Sequence, residues 1–113
     1  MNTLTSIVYT VQDLDAAKTI HTALLGTQPH TDTPYYVGFN VGGLEIGLAP
    51  AHDQAGSTGP IAYVGVADLE AAVASAQRAG ATMADAPHDV GGGTRIATMT
   101  DADGTTLGLI HHA

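Results

Sequence analysis

No cysteine occurs in the 113 residues, which excludes disulfides, thiolate metal sites and a cysteine nucleophile and leaves the redox compartment open. Positive charge is scarce as well. Lys18, Arg78 and Arg95 stand against eleven Asp and Glu, for a formal charge of −8; such a surface repels phosphate backbones, so nucleic acid is not an expected partner. No apolar run is long enough to span a bilayer. The start, Met1-Asn2-Thr3-Leu4-Thr5, has neither the basic region nor the apolar core of a signal peptide. The expectation is a cytoplasmic protein without a membrane partner, whose acidity serves solubility and adds modest attraction for a cationic small molecule.

What is present is a duplication. Val11-Gln12-Asp13-Leu14-Asp15-Ala16-Ala17 recurs as Val66-Ala67-Asp68-Leu69-Glu70-Ala71-Ala72, an offset of 55 residues, and Gly43-Leu44-Glu45-Ile46-Gly47-Leu48 is echoed by Gly104-Thr105-Thr106-Leu107-Gly108-Leu109. Each copy alone is about as small as a stable core allows, so the expectation is a single domain, residues 1–113. Module one covers about 1–50, a linker rich in small and turn-forming residues 51–59, and module two 60–113.

Within module one, the β-branched run 5–11 predicts a strand. Asp13 is placed to cap a helix with Leu14, Ala17, Ile20 and Leu24 at helical spacing, and Gly26 to stop it. Residues 35–41 and 44–49 predict a hairpin through Gly42-Gly43, with a short edge strand within 28–34. Module two repeats the pattern: strand 60–66, helix 68–79 with Leu69, Ala72, Val73 and Ala76 on one face, and strands 81–85, 94–100 and 105–111. Gly91-Gly92-Gly93 reads as a turn rather than a phosphate cradle, because no helix follows it to receive an anion.

The repeated Val-x-Asp-Leu-x-x-Ala motif, Leu24-Leu25-Gly26, Ala79-Gly80-Ala81 and Thr100-Asp101-Ala102-Asp103-Gly104 together resemble the vicinal oxygen chelate superfamily. This group includes glyoxalase I, the bleomycin-resistance proteins, fosfomycin-resistance enzymes and extradiol dioxygenases. The resemblance implies an α+β fold of two tandem βαβββ modules whose curled mixed sheets surround a shared cavity, and it implies a homodimer. It also implies a divalent metal held by His, Gln or Glu on the first and last strand of each module. Here those positions hold Ser6, Gly47, Ile61 and Gly108, and glycine or isoleucine supplies no donor. Glu45 and His112 are displaced by about 7 and about 13 Å along their strands. The expectation is therefore no metal at this place and no cofactor.

The six histidines fall on separate elements: His21 in a helix, His30 and His52 in loops, His88 in a turn, His111 and His112 at the C-terminus. Lacking a ligand spacing, they are expected in surface or structural roles. If Ser6, Gly47, Ile61 and Gly108 point inward, alternation places Val8, Thr10, Glu45, Ala49, Tyr63, Ile110 and His112 on the same face. Candidate ligand-binding residues are then Tyr36, Phe39, Glu45, Tyr63 and Arg95, an apolar and aromatic lining with few charges. The function expected first is metal-free binding of a small molecule, of the sequestration or resistance type. The alternatives are a metal-dependent lyase, isomerase or dioxygenase, and a metal-free enzyme using Tyr63, Glu45 or Arg95 as acid, base or anion anchor.

Overall fold

The computed structural model describes residues 2–51 and 59–112. The expected linker at 51–59, His52 included, lies almost wholly outside the described residues. The chain divides into two compact units, Ser6–Ile61 and Ala62–Ala113, the latter joined by Met1–Thr5. The elements follow in the order β1 (Thr3–Val11), α1 (Leu14–Leu25), β2 (Thr31–Asp32), β3 (Val37–Val41), β4 (Leu44–Pro50), β5 (Gly59–Gly65), α2 (Leu69–Arg78), β6 (Thr82–Gly91), β7 (Thr94–Thr100) and β8 (Thr106–His111). This is an α+β chain of two βαβββ modules. Among the described residues no helix is long and apolar enough to cross a membrane.

Both units use one plan. In the first the strands lie in the order β2-β3-β4-β1, with β1 parallel to β4 and the other pairs antiparallel. In the second the order β6-β7-β8-β5 repeats this, with β5 parallel to β8. A parallel pair needs a crossover, and the helix supplies it in each module. The opening of β1 clusters with the second unit, where a Cβ on Gly65 would lie 2.6 Å from Thr5 Oγ1.

Each helix starts at an aspartate. Asp13 accepts from the Ala16 amide and Asp68 from the Ala71 amide, both at 3.0 Å, meeting backbone donors that a first turn otherwise leaves unpaired. Gly26, at φ 70°, ends α1 in the left-handed conformation that favours glycine.

The α2 stripe matches the periodicity: Leu69 and Val73 are buried with Ala97, Met99 and Leu109, and Ala72 and Ala76 pack against them. On α1 the stripe is rotated from the expected one. Leu14, Ala17 and Leu25 pack against Val37, Phe39 and Leu48, whereas Ile20 and Leu24 are 62% and 75% exposed. At about 100° per residue, positions 14, 17, 21 and 25 cluster more tightly than a stripe including 20 and 24. His21 takes the seat between them, its ring 5.2 Å from that of Tyr9.

Strand β6 is longer than expected and includes Pro87 and His88, the latter expected in a turn. Among the described residues it pairs with β7 only, and edge position tolerates both a proline and the register shifts between Met83 and Asp85, Asp85 and His88, and Asp89 and Gly91. Gly91, Gly92 and Gly93 have φ of 107°, 63° and 79° and form the tight connection to β7.

Removing either cap isolates its contribution. Asp13→Ala and Asp68→Ala are each expected to destabilise by about 1 kcal/mol, read as a lower urea midpoint with an unchanged denaturant slope.

Candidate functional site

Alternation gives every strand one face toward its helix and one away. In the first unit Tyr9, Val37, Phe39, Ile46 and Leu48 take the α1 side. Ser6, Val8, Glu45, Gly38 and Gly47 therefore share the opposite face, in the registers Ser6 with Glu45, Val8 with Gly47 and Gly38 with Gly47.

Tyr36 reaches this face because the turn before β3 is tied at its root. Thr33 Oγ1 accepts from the amides of Tyr35 and Tyr36, and the Thr33 amide donates to the Tyr36 carbonyl at 3.0 Å. The Tyr36 ring then lies across two glycines. A Cβ on Gly47 would sit 2.5 Å from Tyr36 Oη, and one on Gly38 would sit 2.8 Å from Tyr36 Cε2 and 2.5 Å from Glu45 Oε2. Neither glycine has a positive φ, so clearance rather than backbone freedom is what the structure requires there.

Across that floor runs a chain of hydrogen bonds. Tyr36 Oη donates to Glu45 Oε2 at 2.6 Å, His30 Nε2 lies 2.7 Å from Glu45 Oε1, and Thr31 Oγ1 lies 2.8 Å from His30 Nδ1. The His30 amide donates to the Gly38 carbonyl at 2.9 Å, fixing the imidazole beside the sheet. The Glu45 and His30 side chains are 28% and 47% exposed, so the network is reachable from solvent. Burial raises the Tyr36 phenol pKa well above its ordinary value, and the Glu45 hydrogen bond and charge raise it further.

The second unit places a tyrosine over glycine by another route. Tyr63 on β5 is in register with Gly108 on β8, and a Cβ on Gly108 would meet the ring at 2.6 to 2.8 Å. Tyr63 is buried; desolvation and then the charge of Asp85 raise its pKa.

The other candidates are placed differently. Phe39 is fully buried in the α1 cluster and has no surface to offer a ligand. Arg95 alternates with Ala97 and Met99 on the α2 side, where Nη1 and Nη2 fork onto Glu70 at 3.1 and 2.7 Å and hold that carboxyl below its usual range. It does not join Tyr63. Tyr36 and Glu45 are brought together, and His30, which the sequence left as a loop histidine, is the residue that was missed. Its only sequence signal was its place beside the short edge strand preceding Tyr36.

The residues present do not fit a metal. Two of the expected positions are glycines covered by tyrosine rings, so a ligating side chain at 47 or 108 would collide with Tyr36 or Tyr63. In register the neighbours of these glycines are Val8 and Tyr63, two residues beyond Ser6 and Ile61. Among the described residues no three His, Asp or Glu gather as a metal site.

A hollow of about 620 Å³ also opens at the N-terminal end of α1, lined by Asp13, Asp15, Asp32, Pro34 and Val37 among others. Two of its three carboxylates are engaged: Asp13 caps the helix and Asp32 pairs with Lys18 at 3.0 Å. The opposite face, with its linked phenol, carboxylate and imidazole, is the better site on chemical grounds.

Comparison with known proteins agrees with this architecture. A family model described as Glyoxalase/Bleomycin resistance protein/Dioxygenase superfamily matches residues 3–109. No curated protein matches in sequence. Among solved structures, a Legionella pneumophila protein described as an NAD-dependent benzaldehyde dehydrogenase superposes with a TM-score of 0.78 at 17% identity, covering 96% of this chain and 98% of that one. A variant of Streptomyces coelicolor methylmalonyl-CoA epimerase, in complex with 2-nitronate-propionyl-CoA, gives 0.75 at 21% identity over 100% and 99% of the two chains. Methylmalonyl-CoA epimerase from Mycobacterium tuberculosis gives 0.75 at 20% identity over 98% and 88%. At such identities the likeness is one of fold.

Two outcomes follow from the tyrosine seats. Gly108→Ala is expected to destabilise by about 1–3 kcal/mol through overpacking, whereas Gly47→Ala displaces the free end of Tyr36 and breaks its bond to Glu45, seen as a drop of the Tyr36 pKa in a spectrophotometric titration. Raised phenol pKa values favour the neutral folded form, so their stabilisation is complete below the ordinary tyrosine pKa of about 10 and is lost as pH rises through the folded values. The unfolding free energy should fall with pH above about 10, and Tyr36→Phe should flatten that fall.

Proposed function

We propose that this chain, which belongs to the Glyoxalase/Bleomycin resistance protein/Dioxygenase superfamily, is a metal-free small-molecule-binding member of it. The binding face is that of the Ser6–Ile61 unit opposite α1. The observation that carries this reading is the Tyr36 ring lying on Gly38 and Gly47, the second of them a position where the family resemblance expects a metal-ligating side chain. The ring offers an apolar surface, and Glu45, held by Tyr36 and His30, offers a fixed polar edge.

Shape should outweigh charge in such a site. Burying about 200 Å² of apolar ligand surface at roughly 25 cal/mol per Å² gives about 5 kcal/mol before entropy costs, against at most about 1 kcal/mol for an exposed charge pair. A second reading, metal-free acid–base chemistry at the same face, is favoured by the carboxylate–imidazole contact of 2.7 Å. It differs in requiring turnover.

A ligand-observed NMR screen, run before and after exhaustive treatment with a chelator, tests the proposal. Affinity for any hit is expected to be unchanged by the chelator, to weaken only several-fold with added salt, and to fall about tenfold in Tyr36→Ala. Loss of binding on chelation, restored by a divalent metal, would return the metal-dependent lyase, isomerase or dioxygenase reading to first place.

A further inference from the structure

We infer that this face selects ligands that donate hydrogen bonds, such as an aryl amidine or amine, over ligands that accept them, such as a carboxylate. The inference rests on the binding role proposed above and follows from the direction of the Tyr36–Glu45–His30–Thr31 chain.

A carboxylate only accepts. Glu45 takes the single phenolic proton of Tyr36 on Oε2, so its other oxygen, 2.7 Å from His30 Nε2, requires that nitrogen to carry hydrogen and donate. In the neutral imidazole Nδ1 is then the acceptor, and Thr31 Oγ1, 2.8 Å away, donates its hydroxyl proton to it. With the imidazole neutral, all three protons of the network turn inward along the chain. What remains outward is lone pairs: those of Tyr36 Oη, of the Glu45 oxygens and of Thr31 Oγ1.

No free lysine or arginine compensates on this unit. Residues 6–61 contain one lysine and no arginine, and Lys18 is bound to Asp32 on the α1 side at 3.0 Å. An anionic ligand would meet acceptors alone, under a net charge of −8. A planar cation with N–H groups instead finds acceptors at its edge and the Tyr36 ring at its face, the arrangement of a cation–π contact.

Benzamidine and benzoate are matched in size and opposite in hydrogen-bonding sense. In two-dimensional amide NMR titrations at one neutral pH and ionic strength, benzamidine is expected to shift the signals of Tyr36, Gly38 and Glu45 and to bind at least tenfold more tightly than benzoate. Tyr36→Phe keeps the ring and releases a Glu45 oxygen from its donor, so benzamidine should bind equally or several-fold more tightly. Glu45→Gln supplies N–H donors and should shrink the preference at least tenfold.

Benzoate binding at these residues as tightly as benzamidine would overturn the inference and leave the face a binding site. So would benzamidine shifts confined to Asp13, Asp15 and Asp32, or a preference unchanged in a folded Glu45→Gln. If neither probe moves the Tyr36, Gly38 and Glu45 signals, the inference fails together with the binding role assigned to the face.

Discussion

A tyrosine ring laid flat along a sheet needs a neighbouring strand with no Cβ beneath it, and both units are built around that clearance. Gly47 makes it for Tyr36 and Gly108 for Tyr63, and at both the nearest ring atoms stand closer than any real Cβ tolerates. Without it the phenol of Tyr36 would not reach Glu45, the imidazole of His30 would hold a carboxylate with one free oxygen, and the face opposite α1 would carry a bare charge. The chemistry of that face is therefore decided by Gly38 and Gly47, two residues that have no side chain.

The duplication preserved the clearance and changed what fills it. At the offset of 55 residues Tyr63 corresponds to Val8, which is in register with Gly47 as Tyr63 is with Gly108. One unit covers its glycine from the parallel neighbour strand and the other from the turn ahead of β3. Related modules have thus reached a similar covering from positions that are not equivalent. At Gly108 the root of the Tyr63 ring obstructs a side chain placed there, whereas at Gly47 only the free end of Tyr36 would have to move aside.

Much of the fold was legible because it depends on local rules. The aspartate caps, the stop at Gly26, the α2 stripe and the glycine-rich turn into β7 are all decided by residues within a few positions of one another. Alternation likewise put Glu45 on the face of Gly47. The misplacements arose where distant residues decide. Ile20 and Leu24 fit a helical stripe but lost their seats to His21 and Leu25 when α1 met Tyr9 and the β3–β4 pair. Phe39 and Tyr36 differ by odd parity, which hydrophobicity alone does not reveal. Arg95 found its carboxylate on a helix 25 residues earlier in the chain. His30 came to Glu45 only through the β2–β3 pairing, across 15 residues.

The outermost strand of the second unit has a bearing on how the protein behaves in crowded solution. Strand β6 runs for ten residues with no strand on its other side among the described residues, and a long flat edge is a template on which further chains add strand by strand. Three breaks in register, a proline at 87 and the carboxylates of Asp85 and Asp89 interrupt it. An incoming strand would find its hydrogen-bond rhythm broken within two or three residues and would meet like charge from any copy of the same acidic chain. The irregularity that lengthened β6 past its expected end thus doubles as protection against fibrous self-association.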